Sequence, residues 1–134
     1  VERFPDAEWR TGEVELLVPA RVACHVVETA DYYFRAPGEA FAFGGRFGVD
    51  WETGDRASLP DQDQVLAYLE AVWRKGEAWL SLPAELLLEP DPVYGDEGMT
   101  RIDRLLYLLR HTHHHVGELC TELRRRGIAR PGWR

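Results

Sequence analysis

The sequence predicts an all-α protein. Apolar side chains recur at the spacing of a helix in three long stretches, and proline or glycine residues bound each stretch. The length of 134 residues predicts one domain spanning residues 1–134, which is large enough to bury a hydrophobic core. No apolar run reaches the roughly 18 residues that a membrane-spanning helix needs.

The first two long helices are predicted from their boundary residues and their apolar periodicity. One runs from Ala20 to about Arg35, with Pro19 suited to its first turn and Ala36-Pro37-Gly38 ending it. The next begins in Ser58-Leu59-Pro60-Asp61 and continues to about Leu82. In that start we expect Ser58 to cap the helix and the negative charge of Asp61 to favour its amino end.

The third predicted helix runs from about Met99 to Arg126. Its apolar surface is broad, so we expect this helix to be the central one of the bundle. Gly127 is predicted to end it in a left-handed conformation, with Ile128 packing back. The basic residues 124–126 at this end are interpreted as complementing the helix dipole.

The remaining segments carry weaker patterns. Residues 1–18 are predicted to be a mostly extended lead-in that lays apolar side chains against the body. Residues 36–57 are predicted to be a long loop rich in glycine. We expect its aromatic side chains to pack the loop against the rest of the protein. Its Gly44-Gly45-x-x-Gly48 cluster is not interpreted as a phosphate loop, because no strand precedes it and no Lys-Ser/Thr follows. Within residues 83–98, Leu86-Leu87-Leu88 is expected to form a short turn or strand.

Charge and cysteine content exclude several functional classes. The formal net charge of −7 argues against a general nucleic-acid binder and against a binder of anionic membranes. The two cysteines, Cys24 and Cys120, do not form a spaced disulfide framework and are interpreted as reduced thiols of a cytoplasmic protein.

Histidines supply the main functional pattern. Four of the five lie in residues 111–115, and His111 and His115 share one helical face because they are four residues apart. The fifth, His25, lies on the first long helix, so it and the pair could build a three-nitrogen metal site. Two simpler interpretations stay open: His25 as a hydrogen-bonded core residue, and the cluster as a solvated face that binds metal only fortuitously. His113 points elsewhere, and Cys24 is turned roughly 100° around the helix from His25.

These residues also carry a family resemblance. His25-Val-Val-Glu28, His111-Thr-His-His-His115-Val-Gly-Glu118 and the closing Leu-Arg-Arg-Arg-Gly127 resemble the DinB-like superfamily, which includes YfiT-type and bacillithiol-transferase-type proteins. The resemblance covers about Trp9 to Trp133 and implies a four-helix bundle, often a homodimer, with a divalent metal on three histidines. It makes His25, His111 and His115 the ligands here and leaves His114 as an extra histidine.

Residues 1–18 do not resemble the long first helix of that family. The resemblance therefore implies either that this chain starts after that helix, or that the lead-in and a partner subunit replace it.

Three histidine ligands would leave an open coordination position, which is typical of a catalytic site. We expect zinc, with nickel, iron or manganese as alternatives, since imidazole suits several of these ions. Water at the open position would make a hydrolase, whereas a low-molecular-weight thiol would make a thiol S-transferase acting on a small-molecule substrate. The resemblance favours the thiol.

Glu28 and Glu118 are candidate catalytic groups, either orienting a ligand ring or acting as a base, with solvated surface charges as the alternative. Tyr32 and Trp73 could line a pocket, although helical core is the simpler role. Two other functions stay open for the whole chain. One is a dimeric binding module with a structural or vestigial metal, and the other is a helical domain that binds no metal.

Overall fold

The computed structural model describes residues 1–94 and 98–132, and within these ranges the all-α prediction is confirmed. The long helices are α2 (Pro19–Phe34), α3 (Gln62–Leu80) and α5 (Arg101–Arg125). Two short helices, α1 (Asp6–Trp9) and α4 (Ala84–Leu87), and 3₁₀ turns at Glu15–Leu17 and Arg56–Ser58 complete the regular structure. No strand occurs in the described ranges, where an isolated bridge pairs Pro90 with Thr100. Residues 95–97 of the predicted linker and 133–134 of the tail lie outside them.

Helix α2 begins and ends close to its predicted boundaries. Pro19 occupies the first turn, where its missing N–H costs no hydrogen bond. The helix ends at Phe34, and Arg35 is already extended at φ −62° and ψ 148°. The following Ala36-Pro37 cannot continue a helix, because the ring of a proline disfavours the helical conformation of the residue before it.

Helices α3 and α5 both begin with a capping box. Asp61 accepts a hydrogen bond from the Gln64 amide at 2.8 Å while the Gln64 side chain accepts from the Asp61 amide at 2.9 Å. The expectation that Ser58 caps α3 is therefore wrong, since Ser58 ends a separate 3₁₀ turn. Thr100 and Asp103 form the equivalent box at the start of α5.

The predicted left-handed end of α5 is confirmed. Gly127 has a φ of 69°, and the Ile128 amide donates to the Leu123 carbonyl at 2.9 Å, as in a Schellman motif. Arg126 does more than complement the helix dipole. Its guanidinium donates to the Glu8 and Thr11 carbonyls and ties the amino-terminal segment to α5.

The lead-in is less extended than predicted, because α1 and a 3₁₀ turn fall within it. Phe4, Trp9 and Val18 are buried as expected, whereas Val14 and Leu16 are about half exposed. The leucines at 86–88 lie in and after α4, so the turn alternative is correct and the strand alternative is wrong.

Helix α2 is the middle of the structure and packs against both α3 and α5. Asp31 of α2 contacts Tyr68 of α3, and Phe34, further along α2, contacts Trp79, further along α3. These two helices are therefore parallel. Contacts to α5 run in opposite directions, and those helices are antiparallel. The core is formed by apolar side chains of α1, α2, α3, α5 and the loops: Phe4, Trp9, Val18, Ala20, Ala23, Val27, Val49, Leu59, Val65, Tyr68, Val72 and Leu123.

The expectation that α5 is the central helix is wrong. Its apolar surface is broad because part of it faces away from α2 and is exposed. This outer stripe contains Ile102, Leu106, Leu109 and Val116. Helix α2 takes the central position instead, with Ala20, Val22, Ala23, Cys24 and Val27 all buried. No helix in the described ranges is both long and apolar enough to cross a bilayer.

Candidate metal centre

The antiparallel packing of α2 and α5 brings together the three histidines that the sequence singled out. His25 Nε2 lies 3.0 Å from His111 Nε2, and His115 Nε2 lies 3.2 Å from the same atom. The ring centroids of His25 and His115 are 4.7 Å apart. All three side chains are partly buried and could hold one metal ion. The predicted pairing of a histidine on one helix with an i, i+4 pair on another is therefore present as a spatial cluster.

The outer nitrogens of two of these rings have partners within the chain. His115 Nδ1 is 2.6 Å from Glu118 Oε2, and His25 Nδ1 is 3.4 Å from the Thr29 hydroxyl. Such contacts fix the ring orientation and leave Nε2 directed inward, as in histidine ligands with outer-shell partners. His111 Nδ1 is buried without a partner among the described residues, and the Tyr107 ring stacks on His111 at 6.2 Å.

Two of the three nitrogen spacings, those from His111 to His25 and to His115, fit a single ion. With metal–nitrogen bonds of about 2.0–2.1 Å, two nitrogens on one ion lie about 2.8–3.4 Å apart for angles between about 90° and 109°. The separations of 3.0 and 3.2 Å fall in this range. A bifurcated hydrogen bond, in which His111 Nε2–H is shared by the Nε2 atoms of His25 and His115, would give similar distances, and metal analysis separates the two arrangements.

At His25 and His111, burial lowers the pKa and so favours the neutral imidazole, which is the form that binds metal. The pKa of His25 is lowered to about 4, first by burial and then by repulsion from His115 and His111. The pKa of His111 is also lowered, again chiefly by burial and then by the neighbouring histidines.

The other two histidines of residues 111–115, His113 and His114, lie outside the three-histidine cluster. His113 is exposed. His114 is 67% exposed at its side chain and lies 3.3 Å from Glu118 Oε1. His114, His115 and Glu118 form a second group that could hold an ion, although this group shares His115 with the first. Glu118 therefore contacts the candidate centre directly.

Glu28 occupies a different environment from Glu118. It is only 1% exposed, so its interpretation as a surface charge is wrong. Its Oε1 accepts a hydrogen bond from the Gly44 amide at 2.9 Å, and no hydrogen bond joins it to the histidines in the part of the chain that the structure describes. Burial raises the pKa of this carboxyl to about 7.

Cys24 is buried, and burial raises its pKa to about 12, which keeps the thiol protonated. Cys120 is half-buried, and both cysteines are free thiols.

The expectations for Tyr32 and Trp73 have different outcomes. Trp73 is 63% exposed, so it belongs neither to a pocket nor to the core. Tyr32 packs in an aromatic cluster with Tyr33, Phe41, Phe43 and Tyr94.

Sequence reasoning missed three contacts of the histidines. Thr29 and Tyr107 are each four residues from a histidine on the same helix, so helical spacing could have found them. Trp51, from the glycine-rich loop, lies with its ring centroid 4.0 Å from that of His25. No local signal marks Trp51, because its position depends on how the loop folds onto α2.

Comparisons with protein-family models, with curated proteins and with solved structures found no match to this chain. The geometry of the histidine cluster is therefore the main basis for a functional proposal.

Proposed function

We propose that this chain is a DinB-like protein that binds a divalent metal through His25, His111 and His115. We further propose that it is a metal-dependent transferase of the thiol S-transferase type, or a hydrolase. The observation that carries the proposal is the convergence of three histidine Nε2 atoms from two antiparallel helices. Zinc is the expected ion, with nickel, iron or manganese as alternatives.

An open coordination position supports a catalytic role. Within residues 1–94 and 98–132, the group that could hold the ion comprises three histidines and no fourth side chain. A divalent metal there would lower the pKa of a bound water or thiol and so supply a nucleophile near neutral pH. The substrate would then be a small electrophilic molecule, with a low-molecular-weight thiol as the cosubstrate.

The protein residues would hold and orient these groups. Glu118 accepts a hydrogen bond from His115 Nδ1–H, which leaves His115 Nε2 free to bind the metal. The same carboxylate is partly exposed beside the centre, so it is our candidate for accepting a proton from the nucleophile. Glu28, by contrast, is better suited to holding the loop at Gly44 than to proton transfer at the histidines.

The directions of the long helices also support the proposal of a DinB-like fold. Helices α2 and α3 are parallel and joined by a long crossover, and α5 is antiparallel to α2. We propose that this is part of a four-helix-bundle arrangement of the DinB-like type. The exposed stripe on α5 favours a homodimer, since helices bury such stripes against one another. The two free thiols favour the cytoplasm.

Cobalt substitution tests the catalytic proposal. Protein loaded with Co²⁺ is titrated with cysteine as the low-molecular-weight thiol, and the near-ultraviolet sulfur-to-cobalt charge-transfer band is recorded. We expect the band to appear, together with transfer of the thiol to chlorodinitrobenzene as the electrophile. Protein that binds Co²⁺ but shows neither the band nor any thiol transfer would contradict the transferase, and an ester-hydrolysis assay would then test the hydrolase.

A second candidate function is a dimeric binding module whose metal is structural. The exposed apolar stripe of α5 favours it, because this surface serves association rather than chemistry. A structural site should be closed, so this function predicts a Co²⁺ spectrum that cysteine does not change.

A further inference from the structure

The histidine rings are not held equally. The outer nitrogen Nδ1 of His115 has a short contact to Glu118 at 2.6 Å, whereas Nδ1 of His25 has a long contact of 3.4 Å to the Thr29 hydroxyl. A contact of that length constrains a ring weakly. The close neighbour of the His25 ring is Trp51, at 4.0 Å between centroids and 35° between planes.

Trp51 is itself held in place through its backbone. Arg21 donates to the Trp51 carbonyl at 2.6 Å and to the Gly54 carbonyl at 2.6 Å. Asp50 closes the same turn by accepting from the Glu52 and Thr53 amides. Hydrogen bonds to the Arg21 and Asp50 side chains therefore hold the main chain of residues 50–54, from which the Trp51 side chain extends.

The spacing of Arg21 and His25 explains why this turn lies over the candidate centre. The two residues are four apart on α2, so they share one face, one turn above the other. Arg21 is 2% exposed, and Glu15 balances its charge. Arg21 thus binds the main chain of the turn, while the Trp51 side chain covers His25 one helical turn further along.

We infer that Trp51 is a positioning residue of the metal centre: it holds the His25 ring with Nε2 toward His111, and Arg21 anchors it in that position. This inference rests on the proposed function as far as metal affinity is concerned. The ring orientation of His25 can also be measured in the metal-free protein. An experiment can therefore distinguish failure of this inference from failure of the proposed function.

Loss of the Trp51 ring should weaken metal binding while leaving all three ligands in place. Hydrogen-bonded outer partners of metal ligands typically change metal affinity by about 10–100-fold, and we expect a loss of the same order from removing the ring that packs on His25. Phenylalanine preserves a flat ring against His25 and should keep most of the affinity, whereas alanine should not. Trp73 provides a matched control, because its replacement removes an exposed tryptophan from α3, which carries none of the histidines.

The experiment compares wild type with Trp51→Phe, Trp51→Ala and Trp73→Phe. Co²⁺ affinity is measured by competition with a chelator, and tryptophan fluorescence is followed because a paramagnetic ion quenches a nearby indole. We expect Trp51→Ala to lose about 10–100-fold in affinity, Trp51→Phe to bind nearly as wild type but lose the quenching, and Trp73→Phe to retain both. Wild-type affinity in Trp51→Ala, or unchanged quenching in Trp51→Phe, would overturn the inference.

A metal-free readout separates this inference from the proposed function. The indole of Trp51 should shift the ring protons of His25 upfield in the NMR spectrum of chelator-treated protein, and Trp51→Ala should remove that shift. If wild type binds no Co²⁺, the proposed function fails and the NMR result alone decides the ring orientation. His25 ring protons that are not shifted in wild type would overturn the inference in either case.

Discussion

Replacing Glu28 with glutamine should remove a specific pH dependence of stability. The Glu28 carboxyl is buried, Oε2 has no partner among the described residues, and burial raises its pKa from 4.5 to about 7. The folded state therefore holds this proton more tightly than the unfolded chain. Its contribution to stability is fully present below pH 4.5 and is lost as the pH rises through about 7.

The size of the effect follows from the two pKa values. At about 1.36 kcal/mol for each pH unit, the interval from 4.5 to about 7 corresponds to a loss of roughly 3 kcal/mol from the free energy of unfolding. Part of this loss would be offset if water reached the carboxylate, so roughly 3 kcal/mol is the upper end. Glutamine does not ionise, and its side-chain oxygen can still accept from the Gly44 amide.

Urea unfolding of chelator-treated protein between pH 4.5 and 8 measures this difference. The free energy of unfolding of wild type, relative to Glu28→Gln, should fall as the pH rises. Glu70→Gln removes an exposed carboxylate from α3 and should keep the wild-type dependence. If the free energy of unfolding depends on pH equally in wild type and Glu28→Gln, the raised pKa of the buried Glu28 carboxyl is refuted.

Three further substitutions test the outer shell of the centre, the exposed stripe and a buried ion pair. Glu118→Gln should weaken Co²⁺ binding by about tenfold or more in a chelator competition, because His115 loses its charged partner. Leu106→Glu should shift the mass measured by light scattering from twice the chain mass to 15.4 kDa, since it places a charge in the apolar stripe of α5. Arg104→Met should lower the free energy of unfolding by about 3–5 kcal/mol, because it strands the buried Asp91 that Arg104 contacts at 3.2 Å.

Each of these substitutions has a control. His114→Ala removes the exposed neighbour of Glu118 and should leave the Co²⁺ affinity close to wild type. Leu80→Glu changes an exposed leucine on α3 and should not alter the oligomeric mass; the same monomer mass for wild type would refute the homodimer. Adding Asp91→Asn to Arg104→Met should recover part of the lost stability, and no recovery would contradict the ion-pair explanation.

The parts of the fold that sequence predicts well are those determined locally. The start of α2 follows from the fixed φ of Pro19, and the end of α5 follows from the positive φ of Gly127. The predicted cap at Ser58 was wrong because Asp61, which was expected to act only through its charge, is the cap. Only Asp61 has Gln64 three residues later to complete a capping box.

The histidine cluster could be predicted from the sequence, whereas the residues that surround it could not. The i, i+4 spacing of His111 and His115 is a local feature, and placing His25 beside them required only that α2 and α5 be neighbours. Trp51 could not be predicted, because its place depends on long-range hydrogen bonds from Arg21 to the loop.

The position of α5 was mispredicted for a related reason. Helical periodicity shows that a surface is apolar, but it does not show which neighbour covers that surface. The stripe around Leu106 is made of large apolar side chains and yet is exposed.

Metal analysis of protein purified without an affinity tag or added metal tests the central claim most directly. Wild type is compared with His25→Ala and with His113→Ala, the control that removes an exposed histidine outside the cluster. We predict about one divalent ion per chain in wild type and His113→Ala, and none in His25→Ala, because three nitrogens from two helices are needed. Absence of metal from wild type, even after reconstitution with Zn²⁺ or Co²⁺, would contradict the three-histidine centre and leave a hydrogen-bonded histidine cluster in its place.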